Sequence, residues 1–344
     1  MRDRVKVGLV ALVLSMGLTV SACTSFDYAS SAYRGGDFAT ALRLYRPRAE
    51  QGDADAQHNV GFMYQQGQGV PQDDAEAVRW YRRAAEQGEA TAQYNLGGMY
   101  ATGQGVPQDD AEAARWHRKA ADQGHVRAQS DLGFAYANGR GVPQDDAEAM
   151  KWFRKAADQG DADAQTALGV MYATGHGVPR DYAAAARWYR KAADQGDAYA
   201  QNAVGGMYAT GRGVPHDDAE AIKWYRKAAE QGHAPAQSSL GFMYATGRGG
   251  PQDYAEAARW LHEAANQGDA YSQSFLGVMY ATGQGVPQDY VQAHKWFSLA
   301  AARFTASETE DREAAIMNRD RVAAMMTAAQ VAEAQQLARE WKPK

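Results

Sequence analysis

The chain has 344 residues, of which 35 are Gly, 8 Trp and 12 Met, with a single Cys. Glycine without a strict third-residue spacing and abundant Pro excludes collagen, and 45% hydrophobic residues with 10% aromatic exclude a disordered chain. A net charge of −5 with no Lys/Arg block excludes the electrostatic footprint of a nucleic-acid binder, and one Cys excludes a disulfide framework or a Cys-cluster metal site.

At the start of the chain, Arg2, Arg4 and Lys6 precede an apolar run from Val7 to Val20. The run is too short to span a bilayer as a helix, which needs about 20 apolar residues. A basic start and a short apolar core ending in small residues read as a secretory signal. Its end, Val20-Ser21-Ala22-Cys23, resembles a bacterial lipoprotein lipobox. That resemblance implies that 1–22 is a signal peptide and that Cys23 is acylated after cleavage. Thr24 stands where an inner-membrane retention Asp would sit, which implies an outer-membrane lipoprotein facing the periplasm. The alternative is an ordinary cleaved signal and a secreted or periplasmic protein. A lone Cys at the junction favours lipidation, because a free thiol is a liability in an oxidising compartment.

From residue 53 onward the chain is periodic. Trp80, Trp116, Trp152, Trp188, Trp224, Trp260 and Trp296 recur every 36 residues, and Pro71 and Tyr64 head series with the same step. A fixed period of this size signals a repeat architecture. In 53–66, Ala56, Val60, Met63 and Tyr64 fall at helical spacing on one face. Gly67 and Gly69 stop this helix, and Pro71 prevents its continuation. Asp73 with Glu76 predicts a reciprocal capping box for a second helix over 74–86, where Ala77, Trp80, Tyr81 and Ala84 share a face. Gly61 and its equivalents lie mid-helix, where Gly costs about 1 kcal/mol against Ala, which predicts close approach of the helix bearing the Trp.

The pattern LGxMYxxGxGVPQDxxEAxxWYRKAAxQG resembles the Sel-one-like repeat, a relative of the tetratricopeptide repeat with a longer inter-helix loop. This implies an all-α fold, an α/α solenoid in a right-handed superhelix, with seven 36-residue helix–loop–helix repeats over 53–304. Residues 23–52 read as a tether and an atypical helix pair without the GxGVPQD loop. Residues 305–344 lack the period and read as C-terminal capping helices. Thr327 with Gln330 opens the last of these, and Val331, Ala334, Ala338 and Trp341 supply its apolar face.

No catalytic constellation emerges. The G-x-G elements precede a Pro between helices rather than opening a helix after a strand, so they are not phosphate loops. The eight His occupy scattered columns without an H-x-x-x-H or H-E-x-x-H pair, so no metal is expected. Neither S-x-x-K nor G-x-S-x-G occurs, and capping explains the Asp73/Glu76 carboxylates. Neither a small-molecule cofactor nor enzymatic activity is expected.

Three first-helix columns vary among the repeats and match, by the resemblance, the columns that line the concave groove of tetratricopeptide proteins. One includes Arg127, Asp163, Tyr199 and Tyr271; the next includes His58, Tyr94 and Asn202. The third reads Phe62, Gly98, Phe134, Val170, Gly206, Phe242 and Val278. Spacings of three and four place them on one helical face. The expectation is a non-enzymatic scaffold or adaptor, held to the membrane by an N-terminal lipid anchor, binding a protein or peptide along this face. The alternatives are a cell-wall or β-lactam hydrolase and a peptidoglycan-binding envelope protein.

Overall fold

The computed structural model describes residues 28–343, and every regular element among them is a helix. The signal segment and Cys23 lie outside the described residues. The chain divides into two compact units, Met1–Asp161 and Ala162–Lys344. The first holds α1 (28–34), α2 (Phe38–Glu50), α3 (Ala54–Gln66), α4 (Asp74–Glu86), α5 (Ala90–Thr102), α6 (Asp110–Asp122), α7 (Val126–Asn138) and α8 (Asp146–Asp158). The second holds α9 (Ala162–Thr174), α10 (Tyr182–Asp194), α11 (Ala198–Thr210), α12 (Asp218–Glu230), α13 (Ala234–Thr246), α14 (Tyr254–Asn266), α15 (Ala270–Thr282), α16 (Tyr290–Arg303), α17 (Thr309–Ala323) and α18 (Ala328–Glu340). Within each unit, successive repeat helices pack on one another, the nearest-neighbour stacking of an all-α repeat solenoid. No helix among the described residues is long and apolar enough to cross a membrane.

Local chemistry sets the helix ends. Asp53 accepts the Ala56 N–H at 2.9 Å and starts α3. Gly67, at φ 65°, ends it in the left-handed conformation. Asp73 Oδ1 then accepts the Glu76 N–H at 3.0 Å to open α4. The expected reciprocal half of this box is not made. The Asp73 N–H donates to the Tyr64 carbonyl at 3.0 Å instead, and Glu76 turns outward to Arg79 at 2.6 Å. A carbonyl left over at the end of the first helix outcompetes the side chain. The full reciprocal box does form at Thr327 and Gln330.

Two constraints join the helices. Gly97 on α5 faces the ring of His117 on α6 so closely that a Cβ would overlap it, and at Gly133 the Phe153 ring would stand 2.6 Å from a Cβ. The close approach therefore involves the Trp-bearing helix, through the residue that follows the Trp. Second, Gln93 is buried and donates from Nε2 to the Ala85 carbonyl of the preceding repeat at 3.0 Å. It accepts at Oε1 from Gln123 Nε2 at 2.8 Å. Gln129 and Gln237 are bonded in the same way. At the seventh repeat, Arg303 stands where that donor Gln would be, and Gln273 Oε1 has no partner.

The C-terminal helices close the second unit. Both α17 and α18 pack on α16. Ala334 is buried, Ala338 and Trp341 pack on the last repeat's core, and the Arg303 guanidinium covers the Trp341 ring at 4.2 Å.

Gly97 and Gly98 adjoin on α5 yet differ: nothing lies within 4 Å of a Cβ built on Gly98. Gly97→Ala is expected to destabilise by about 1–3 kcal/mol through overpacking. Gly98→Ala is expected to stabilise by up to about 1 kcal/mol through helix propensity. Urea midpoints of the two variants check the pair.

Candidate functional site

The variable first-helix columns are laid out differently in the two units. In the first unit, His58 on α3 is half-buried, 3.1 Å from Asn95 Nδ2 and 5.7 Å from the Tyr81 ring. Phe62 is half-buried against the core formed by α4 and α5. Tyr94 on α5 lies between two imidazoles, with ring centroids 5.5 Å from His117 and 4.6 Å from His125. Arg127 is exposed on α7, and its charge acts on the Tyr94 hydroxyl. Phe134 keeps 40% of its surface exposed and meets Phe153 edge-on at 4.8 Å.

In the second unit, Asp163 is exposed on α9 and Tyr199 on α11. The Tyr199 ring stands 6.3 Å from His233. Asn202 is half-buried, and its Oδ1 is enclosed without a hydrogen-bond partner. Phe242 on α13 is half-buried and meets Phe275 edge-on at 5.1 Å. Tyr271 on α15 is exposed but already engaged: its hydroxyl donates to Asp311 on α17 at 2.9 Å, and its ring packs on Phe304 at 5.1 Å. That carboxylate raises the Tyr271 pKa to about 12. The columns are thus not uniformly open. The His58 column faces the neighbouring first helix, and Tyr271 braces the C-terminal cap.

Two cavities lie beside Phe134 and Phe242, each of which follows a Gly of the same column one repeat earlier. A cavity of about 300 Å³ is lined by Gly98, Ala114, His117, Asp131, Phe134 and Arg140, among others. Three repeats on, in the second unit, one of about 260 Å³ is lined by Ala209, Tyr225, Ser239, Phe242, Thr246 and Arg248, among others. Tyr225, Phe242 and Arg248 occupy the repeat positions of His117, Phe134 and Arg140. Each Arg pairs back across the loop, Arg140 with Asp110 at 3.4 Å and Arg248 with Asp218 at 2.7 Å. These loop Arg and the residue after the Trp escape a column-by-column reading. Recurrence every third repeat, seen in Gly98/Gly206, Phe134/Phe242 and His125/His233, singles out the two repeats whose Arg140 and Arg248 stand at these cavities, but not the residue after the Trp, which is His117 in one and Tyr225 in the other.

Electrostatically the face in the first unit is a histidine cluster. Burial holds the His117 pKa down at about 4, and its Nε2 has no hydrogen-bond partner. Burial also lowers His58 and His125, against the opposing charge of Glu89. His125 caps α7, its Nδ1 accepting the Ala128 N–H at 3.2 Å, so the cap requires an unprotonated Nδ1. His233 caps α13 likewise at 3.3 Å. Among the described residues, no group of three or more His, Cys, Asp or Glu is placed to hold a metal ion.

Comparison with known proteins gives a consistent result. The Sel1 repeat family model matches at 54–89, 90–125, 126–161, 162–197, 198–233, 234–269 and 270–303. A solved Sel1 repeat protein from Oxalobacter formigenes is 38% identical with a TM-score of 0.65, over 82% of this chain and 85% of that one. The solved structure of c5321, a protective antigen present in uropathogenic Escherichia coli strains and displaying an SLR fold, is 29% identical with a TM-score of 0.58. It covers 96% of this chain and 94% of that one. No curated protein matches the chain.

Because the fold keeps His117 neutral, its contribution is intact above pH 6.5 and is lost as pH falls toward 4. Over that window the unfolded chain takes up a proton that the folded chain refuses, a change on the order of 3 kcal/mol. His117→Phe, which places here the residue found at Phe153, is expected to flatten this pH dependence. Urea unfolding of wild type and variant at pH 7 and at about pH 5 checks it; equal slopes would refute the assignment.

Proposed function

The chain belongs to the Sel1 repeat family, and on that footing we propose that it is a scaffold that binds a protein partner along the first-helix faces of its repeats, tethered in the bacterial envelope through Cys23. Sel1 repeat proteins are generally protein-interaction scaffolds and are typically non-catalytic. The observation that carries the reading here is the recurring cavity beside Phe134 and Phe242, one in each unit. Each offers an apolar wall with an ion-paired Arg at its edge, the combination that anchors a partner's side chain while its rim stays polar. The lipobox-like residues ending at Cys23 support the tether, and the short signal-like apolar run before them supports export.

Phe134→Glu combined with Phe242→Glu places a carboxylate in each cavity without touching the Gln ladder or the Gly contacts. The double variant is expected to fold and to lose about tenfold or more in partner recovery by crosslinking from native membranes. Undiminished recovery by a folded variant would refute the first-helix reading. Cys23→Ser is expected to shift the protein from the membrane pellet to the soluble fraction on cell lysis. Retention in the pellet would refute lipid tethering.

A further inference from the structure

The fourth repeat breaks the charge pattern of the others on its loop and second helix. Residues 178–194 carry Arg180, Arg187, Arg190 and Lys191 against Asp181 and Asp194. The same segment of the first repeat, 70–86, carries three cations against four acids, and none of the other six segments is net positive. Helix α10 has no acidic residue in its first turn. In a chain of net charge −5, this is a local inversion.

The inversion has a structural consequence. In α4, α6, α8, α12 and α14, a Glu in the first turn pairs with an Arg or Lys three residues on, as Glu112 does with Arg115 at 3.0 Å. In α10 that Glu is Ala184, and Arg187 makes no ion pair among the described residues. In α4, Arg82 donates to the hydroxyl of Tyr100 on the next first helix at 2.7 Å, and Arg118 and Arg226 make the equivalent bonds to Tyr136 and Tyr244. Arg190 pairs with Asp194 at 3.1 Å, as Arg154 does with Asp158 in the third repeat, and covers the Trp224 ring at 4.6 Å, leaving Tyr208 without that donor. Ala186, like Ala114 in α6 and Ala258 in α14, is small in a column that holds Val78 in α4 and Ile222 in α12. A cleft of about 460 Å³ lies between α10, α11 and the loop after α11. Ala183, Ala186, Val204, Met207 and Val214 make it apolar, and Arg187, Arg190 and Lys191 stand at its edge.

We propose that this cleft is a second binding site, distinct from the first-helix face, for an acidic peptide segment bearing an apolar side chain. The apolar side chain enters between Val204 and Met207, and flanking carboxylates meet Arg187 and its neighbours. The proposal extends the scaffold reading but does not depend on the Phe134 and Phe242 cavities. A short acidic segment fits better than an anionic membrane surface. Among the seven repeats, a net positive second-helix segment is confined to the fourth, and the flanking segments, at net −1 in the third and fifth repeats, would repel an extended anionic sheet.

The test uses the purified full chain and a fluorescein-labelled synthetic peptide, Glu-Glu-Phe-Glu-Leu-Glu, read by fluorescence anisotropy. Saturable binding is expected, weakening steeply as ionic strength rises from about 0.01 to about 1 M, across which the screening length falls from about 30 to about 3 Å. Ala184→Glu restores the residue that five other repeats carry, so the variant is expected to fold normally and to bind at least about tenfold more weakly. Arg187→Gln is expected to weaken binding similarly, and Phe134→Glu with Phe242→Glu to leave it unchanged. Absence of binding, or binding unaltered by both Ala184→Glu and Arg187→Gln, overturns the proposal. So does Ala184-dependent pelleting with phosphatidylglycerol vesicles while the peptide fails to bind. Loss of peptide binding in the Phe double variant would assign the peptide to the first-helix face and overturn the cleft alone.

Discussion

Within each unit, a buried glutamine near the start of a repeat's first helix holds the stack in register. Gln93 reaches back to the end of the preceding second helix and receives the amide of Gln123 from the end of its own. One side chain therefore satisfies polar groups on two other helix ends, which would otherwise cost about 1–3 kcal/mol each if enclosed unpaired. Its neighbours cannot slide along their axes without breaking both bonds. The glycine facing the next ring then sets the distance between the paired helices, so register and separation are fixed by different residues. The ladder ends where the pattern ends: Gln273 has its donor to the preceding carbonyl but nothing at Oε1, because Arg303 replaces the closing Gln.

With the interior columns held this way, chemical variety falls on the outward first-helix columns and the first turn of the second helix, which neither constraint uses, and on the identity of the ring that each glycine packs against. Each departure has a local outcome because a solenoid couples only neighbouring repeats. Histidine in place of a larger ring at His117 leaves room beside Phe134 and brings a group that the fold keeps unprotonated. Alanine in place of Glu at Ala184 leaves the Arg187 guanidinium without an ion pair among the described residues, at a cleft that it helps to line. The same scaffold thus displays an apolar, histidine-backed face in one unit and a cationic edge in the other.

Much of this was legible from residue spacing, and the failures share a cause. Helix pairs, left-handed Gly caps and the close Gly contact follow from properties of single residues in a periodic frame, and they appear as expected at Gly67, Gly97 and Gly133. What spacing missed depended on competition for one hydrogen-bonding group. Asp73 has two acceptors within reach of its N–H, and the Tyr64 carbonyl wins because the end of a helix leaves it free. The role of Gln123 depends on Gln93, a partner on another helix. Tyr271 sat in a variable, exposed column, and only the packing of α17 reveals that Asp311 occupies its hydroxyl. Pattern reveals what each residue prefers; which partner it takes depends on what the neighbouring helix leaves unsatisfied.

Gly98 and Gly206 separate structural glycine from another kind. Each follows a glycine that packing demands, yet a Cβ on Gly98 would meet nothing within 4 Å and one on Gly206 only the Tyr225 hydroxyl at 3.5 Å. Neither has the positive φ that excuses glycine in the loops. An alanine would fit at both and would strengthen the helix by about 1 kcal/mol. The stack gains nothing from the missing side chain. Gly98 lines the cavity beside Phe134, and Gly206 stands one repeat before the cavity at Phe242, each cavity with an Arg held at the edge by an acidic partner. A local cost that packing does not require, made twice at the same place in the repeat, marks surface shaped for contact with something outside the stack.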